Sequence, residues 1–106
     1  MSIYTEETFG PVAAVIPFDS EEEVLREASD TEYGLASYLY TRDIERIWRF
    51  SDALDYGMVA VNSVKMTGYP APFGGVKQSG LGREGSHQGI EEYVDTKYLC
   101  MGTLPL

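Results

Sequence analysis

Side chains able to do covalent or acid–base work are scarce in this sequence, which holds one cysteine, Cys100, and one histidine, His87. A nucleophilic cysteine needs a neighbouring base or a setting that favours the thiolate. Cys100 instead lies in the apolar run Tyr98-Leu99-Cys100-Met101 near the last residue, which reads as core. One histidine and one cysteine cannot supply the four ligands of a structural zinc, so no metal site is expected, and His87 reads as a solvated first-turn residue. No serine stands near an acid–base pair resembling a triad. Glu6 and Glu7, adjacent in an extended segment, face opposite ways and cannot act as a dyad. No catalytic residue is assigned to the chain.

Two patterns suggest binding. Glu7 and Phe9 lie two apart and share a face of an extended segment, setting an acceptor-only carboxylate beside an aromatic plane. That pairing suits a ribose diol next to a flat base; the plainer reading is a solvated acid before a Phe-Gly-Pro turn. Gly80-Leu81-Gly82-Arg83-Glu84-Gly85 satisfies G-x-G-x-x-G, which in a dinucleotide fold lets backbone approach a pyrophosphate at a helix N-terminus. The context opposes that use: no buried strand precedes it, and the 21 residues that follow are too few for a helix, a strand and a ribose-binding acid. Glycines serving tight turns and close packing explain it better.

The elements that must carry these residues are legible from periodicity. Val12 to Phe18 (VAAVIPF) is a nearly continuous apolar run, expected as a strand covered on both faces. Ser20-Glu21-Glu22-Glu23 forms a capping box for a helix over about 21–29, with Val24, Leu25 and Ala28 facing inward. Leu35 to Tyr40 reads as a second strand. Thr41 is expected to cap a helix whose Ile44, Ile47, Trp48, Ser51 and Leu54 share one face and which Gly57 ends. Met58 to Val61 is a third strand. The order predicts an α/β fold, a small parallel sheet from a βαβαβ unit with flanking helices. A long Gly/Pro loop over residues 62–85 follows, of a length usually tied to function. Next come a short helix capped by Ser86, with Ile90, Tyr93 and Val94 as its apolar stripe, and a C-terminal strand, Tyr98 to Met101.

At 106 residues the chain can build one small core, not a cofactor domain plus a substrate domain. Seventeen acidic against eight basic side chains give a net charge of −9, with no basic run, so nucleic acid and membrane surfaces are disfavoured as partners. Residues 1–55 carry thirteen acidic and four basic side chains, and the Gly-rich remainder carries four of each. No apolar stretch is long enough to span a membrane, and MSIYTEETFG lacks the features of a signal peptide. A cytoplasmic, reducing compartment is therefore expected.

Several motifs occur in one order: Glu6-Glu7-Thr8-Phe9-Gly10-Pro11-Val12, Tyr33-Gly34-Leu35-Ala36, Thr41-Arg42-Asp43, Gly57-Met58-Val59-Ala60-Val61-Asn62 and Pro72-Phe73-Gly74-Gly75-Val76-Lys77-Gln78-Ser79-Gly80. Together they resemble the C-terminal part of the NAD(P)-dependent aldehyde dehydrogenases, from about Tyr4 to Met101. The tail from Gly80 to Cys100 is most similar to the succinate-semialdehyde dehydrogenase branch. The resemblance implies cofactor-binding roles for Glu7, on the nicotinamide ribose, and Phe9, beside the nicotinamide ring. It implies that Phe73 lines the aldehyde pocket and that the Thr67 hydroxyl helps hold a distal substrate carboxylate. The same resemblance implies that Arg83 and Asp95 fall at interface salt-bridge positions. Residues of about 3–85 would belong to the catalytic domain, and about 86–103 to an oligomerisation helix and strand joining a homo-oligomer. The family's attacking cysteine, general-base glutamate and Gly-rich cofactor domain lie upstream of the matched region. The chain is thus expected to be an inactive part of an enzyme oxidising an aldehyde, succinic semialdehyde first, with NAD or NADP, and to bind no cofactor alone. The alternative is a non-catalytic, self-associating α/β assembly module.

Overall fold

Helix termini follow the local side-chain chemistry, with two shifts. The computed structural model describes residues 2–7 and 9–104. Helix α1, Glu21–Ser29, is capped by Ser20, whose Oγ accepts from the Glu23 N–H at 3.1 Å. The Glu23 carboxylate reaches back to the Asp19 N–H at 2.8 Å, one residue earlier than a capping box requires, and still satisfies a free donor. Helix α2, Ile44–Ala53, is capped by Asp43 and not by Thr41. The Asp43 carboxylate accepts from the N–H groups of Glu45 and Arg46 at 2.9 and 3.1 Å. Thr41 Oγ1 accepts from Asp43 N–H. An ionised acceptor at the cap outcompetes a hydroxyl placed two residues earlier.

Strand β1 is Tyr33–Gly34, β2 is Ala36–Leu39, β3 is Met58–Val61 and β4 is Val76–Lys77. β2 and β3 run parallel through α2, in register from Ala36 opposite Met58 to Leu39 opposite Val61. This strand–helix–strand unit bears out the expected α/β class. β1 pairs antiparallel with β4, a short ladder whose two-residue strands leave no periodic trace in the sequence.

Two expected strands need correction. Val12 to Phe18 and Tyr98 to Met101 are without ladder partners among the described residues, and Val15 is 90% exposed. An apolar run becomes a strand only when a neighbour takes its backbone N–H and C=O groups. Gly57 does not end α2, which stops at Ala53. A Cβ on Gly57 would run into the Gly74 carbonyl oxygen and the Gly75 Cα, so its role is close packing of the glycine loop against the start of β3. Ser86 sits at φ +53° outside the 3-10 helix Gln88–Tyr93, and no side chain caps that helix.

The core is thin. Phe50 and Ala60, each 7% exposed, are its buried hydrophobic residues. α2 turns Phe50 inward, while Ile44 and Trp48, expected on the inner face, are exposed. The accessible surface of 9240 Å² compares with about 5,900 Å² for a compact monomer of this mass. The radius of gyration, 20.0 Å, compares with about 13 Å for a compact chain of this length. Among the described residues no helix is long and apolar enough to cross a membrane.

Candidate functional site

The glycine-rich loop is held in shape by bonds to neighbouring segments. Phe73 and Glu84 exchange backbone bonds, Phe73 N–H to Glu84 O at 2.8 Å and Glu84 N–H to Phe73 O at 2.7 Å. Arg83 Nη1 donates to Gly75 O at 2.8 Å and to Gly82 O at 2.6 Å. Ser79 Oγ accepts from Gly34 N–H at 2.9 Å. Lys77, at φ +55°, sends Nζ to Ser29 O, Thr31 O and the Asp55 carboxylate, closing the C-terminal end of α1. Sequence reasoning missed these roles of Arg83, Lys77 and Ser79. The available signal was for Arg83, a donor-rich side chain set among glycines whose carbonyls lack partners, while the distant partners of Lys77 and Ser79 leave no mark in the sequence.

Three hollows border this frame. Thr67, Tyr69, Phe73 and Glu84 line one of about 350 Å³, so the two expected substrate-side residues share a cavity. Phe73 also lines a larger hollow, about 710 Å³, between the glycine loop and the 3-10 helix, together with Arg83, Glu84 and Glu92. Glu7 lines a third, about 450 Å³, with Tyr4, Thr31, Tyr33, Tyr56 and Ser79. Its carboxylate accepts no hydrogen bond among the described residues and is open to an incoming hydroxyl. Phe9 lines none of these hollows and is 94% exposed, so the chain's own structure does not close Glu7 and Phe9 around one cavity.

The G-x-G-x-x-G stretch has the geometry of turns. Gly80, Gly82 and Gly85 adopt φ of +107°, +76° and +67°. Arg83 Nη1 is occupied by carbonyls, and two carboxylates face the adjacent hollow, an unfavourable setting for a pyrophosphate. Asp95 lies exposed in the extended tail and Cys100 is a free, exposed thiol. His87 Nδ1 is 3.4 Å from Ser86 Oγ. No group of three or more metal-ligating side chains occurs among the described residues. The strongest charge pairing lies elsewhere, where Glu21 bonds Arg46 Nε at 2.6 Å and Arg49 Nη2 at 2.8 Å. The Arg49 and Arg46 guanidiniums hold Glu21 below the ordinary carboxylate range.

A model of the aldehyde dehydrogenase family matches residues 1–99. The chain belongs to the aldehyde dehydrogenase family. It is 62% identical over 104 residues to a non-phosphorylating aspartate-semialdehyde dehydrogenase of Halomonas elongata, a match covering 98% of this chain and 21% of that protein. Its fold superimposes with a TM-score of 0.92 on a succinate-semialdehyde dehydrogenase from Burkholderia pseudomallei, at 60% identity over 97% of this chain and 21% of the other. An aldehyde dehydrogenase from Bacillus cereus, solved as its NAD+ complex, aligns with a TM-score of 0.86 at 42% identity, covering 90% of this chain and 19% of the other. The chain therefore spans about one fifth of the length of the aldehyde dehydrogenases it matches.

Proposed function

We propose that this chain forms the nicotinamide-facing and aldehyde-lining wall of an NAD(P)-dependent dehydrogenase for a small semialdehyde, succinic semialdehyde first, and that it is inactive alone. The observation that carries this reading is the family match over residues 1–99, set against the one-fifth share of the relatives that the chain spans. The oxidation turns an aldehyde and one water into a carboxylate, with a hydride leaving to the nicotinamide and two protons to solvent. The thiol that attacks the aldehyde and the base that activates water would come from polypeptide outside this chain, since Cys100 sits in an exposed tail beyond the glycine loop.

NAD(P), when bound, supplies the hydride acceptor. The residues present fit it: Glu7 offers an unbonded carboxylate to a ribose diol, and the exposed Phe9 offers an aromatic face to the nicotinamide once other polypeptide closes over it. Phe73 supplies the apolar wall against the aldehyde, and the Thr67 hydroxyl in the same hollow donates to a distal carboxylate. Relatives named for aspartate and succinate semialdehydes favour a substrate with such a carboxylate. Arg83 and Asp95 take interface positions, residues of about 3–85 serve the catalytic domain, and about 86–103 serve assembly into a homo-oligomer. The self-associating module remains the second reading, favoured by exposed apolar side chains on both unpaired runs, among them Val15, Ile16, Tyr98 and Leu99.

Substitutions in the dehydrogenase that carries this segment separate the two binding roles. Glu7→Gln should raise KM for NAD(P) about tenfold and leave the aldehyde KM unchanged. Thr67→Val should raise KM for succinic semialdehyde about tenfold while sparing butyraldehyde, which lacks the distal charge. Unchanged constants in both variants would overturn the assignment.

A further inference from the structure

We infer that Arg83 is a positioning residue for the aldehyde wall: by tying Gly75 O to Gly82 O it clamps the two limbs of the glycine loop and so fixes Phe73. The inference rests on the reading of Phe73 given above. Around Phe73 the chain doubles back, with residues 73–75 on one limb and 82–84 on the other. These limbs meet backbone to backbone at the isolated Phe73–Glu84 pair, and farther from the turn Ser86 N–H bonds Tyr69 O at 3.2 Å. Between the limbs the chain passes through β4 and a turn closed by Ser79 N–H to Val76 O and Gly80 N–H to Lys77 O, then through Gly80 and Gly82, both at positive φ, and no backbone bond joins residues 80–82 to the opposite limb among the described residues.

Arg83 supplies the tie on the turn side of that pair. One nitrogen, Nη1, bonds a carbonyl of each limb, at 2.8 Å to Gly75 and 2.6 Å to Gly82. Bonds from a charged donor to neutral carbonyls are among the stronger ones a loop can make. The side chain crosses directly over Gly74, where an added Cβ would lie 2.6 Å from Gly82 O and 2.8 Å from Arg83 Cδ. Gly74 has no side chain because the opposite limb and the arginine fill that space. Phe73 is the neighbour of Gly74 and lines the hollows on both sides of the clamp, so splaying the limbs moves the aromatic wall of each. The interface role proposed for Arg83 would fall to Nε and Nη2, which make no hydrogen bond among the described residues.

Two readouts test the clamp. Site-resolved hydrogen exchange on the chain follows the Phe73 and Glu84 amides, with the β2–β3 amides as the control for an intact fold. Arg83→Ala should lose protection at Phe73 and Glu84 while β3 keeps it, and Arg83→Lys, which restores a charged donor, should recover most of it. Gly74→Ala keeps the arginine in the sequence but presses a Cβ against Gly82 O and Arg83 Cδ, prying the same limbs apart, and should give the same local loss, so the test survives poor folding of Arg83→Ala. Unchanged protection at Phe73 and Glu84 in Arg83→Ala or Gly74→Ala overturns the inference, whether or not the protein turns over an aldehyde. In the dehydrogenase that carries the segment, Arg83→Ala should raise the aldehyde KM about tenfold and keep the NAD(P) KM within about twofold, with Arg83→Lys intermediate. A rise confined to the NAD(P) KM would likewise overturn it, while leaving the functional reading in place.

Discussion

Ser20 and Asp43 do similar jobs by different chemistry, and acid distinguishes them. Ser20→Ala removes a neutral acceptor from the Glu23 N–H and should lower stability by about 1 kcal/mol at any pH, read from the urea midpoint. Asp43 caps α2 through a carboxylate, and its bond from the Arg46 N–H, helped by the one from Glu45, holds it below the ordinary carboxylate range. Glu21 is lowered for a related reason, by its bonds to the Arg49 and Arg46 side chains. A carboxylate whose folded pKa is depressed stabilises the fold above its unfolded value, and that contribution is lost as pH falls through the folded one. The helix signal should therefore weaken below the ordinary carboxylate range, and circular dichroism should show the double variant Glu21→Gln, Asp43→Asn to be flatter over that window. An equally steep acid transition in the double variant would contradict this account.

The elements stand or fall on a few close approaches. Gly57 lets the Gly74–Gly75 backbone press against the start of β3, so Gly57→Ala should force the loop away and cost about 3 kcal/mol, with the urea midpoint falling accordingly. This contact also shows where sequence reading stops. Both helices, the parallel β2–β3 pair and the strand–helix–strand order were legible, because capping residues and apolar periodicity act locally. The β1–β4 ladder and the Phe73–Glu84 pair were not, since two-residue contacts between distant segments carry no period. Gly57 was read as a helix stop because its spacing fits one; its packing partner lies seventeen residues away and leaves no local mark. At the site, spacing alone paired Glu7 with Phe9, whereas Thr67 and Phe73 were reached through family resemblance. The arginine clamp depends on which carbonyls face which limb, and that appears only in three dimensions.

At the scale of the whole molecule, exposed surface is the dominant feature. The accessible area exceeds that of a compact monomer of this mass by about 3,300 Å². Two buried polar atoms, Ser37 Oγ and Gln88 Oε1, have no partner among the described residues. The runs around Val15 and Tyr98 are apolar, exposed and unpaired, which is the condition under which strand edges associate. Light scattering of the purified chain should show mass rising with concentration, and a strict monomer across that range would argue against strand-mediated association. The central claim is that this surface belongs to an aldehyde dehydrogenase whose reactive thiol and base lie on other polypeptide. Its most direct test is the rate of NAD(P)H formation from succinic semialdehyde, measured with the 106-residue chain alone and with a dehydrogenase in which the chain is joined to the rest of the family's sequence. The account predicts turnover by the joined protein and none by the chain; sustained turnover by the chain alone would contradict it.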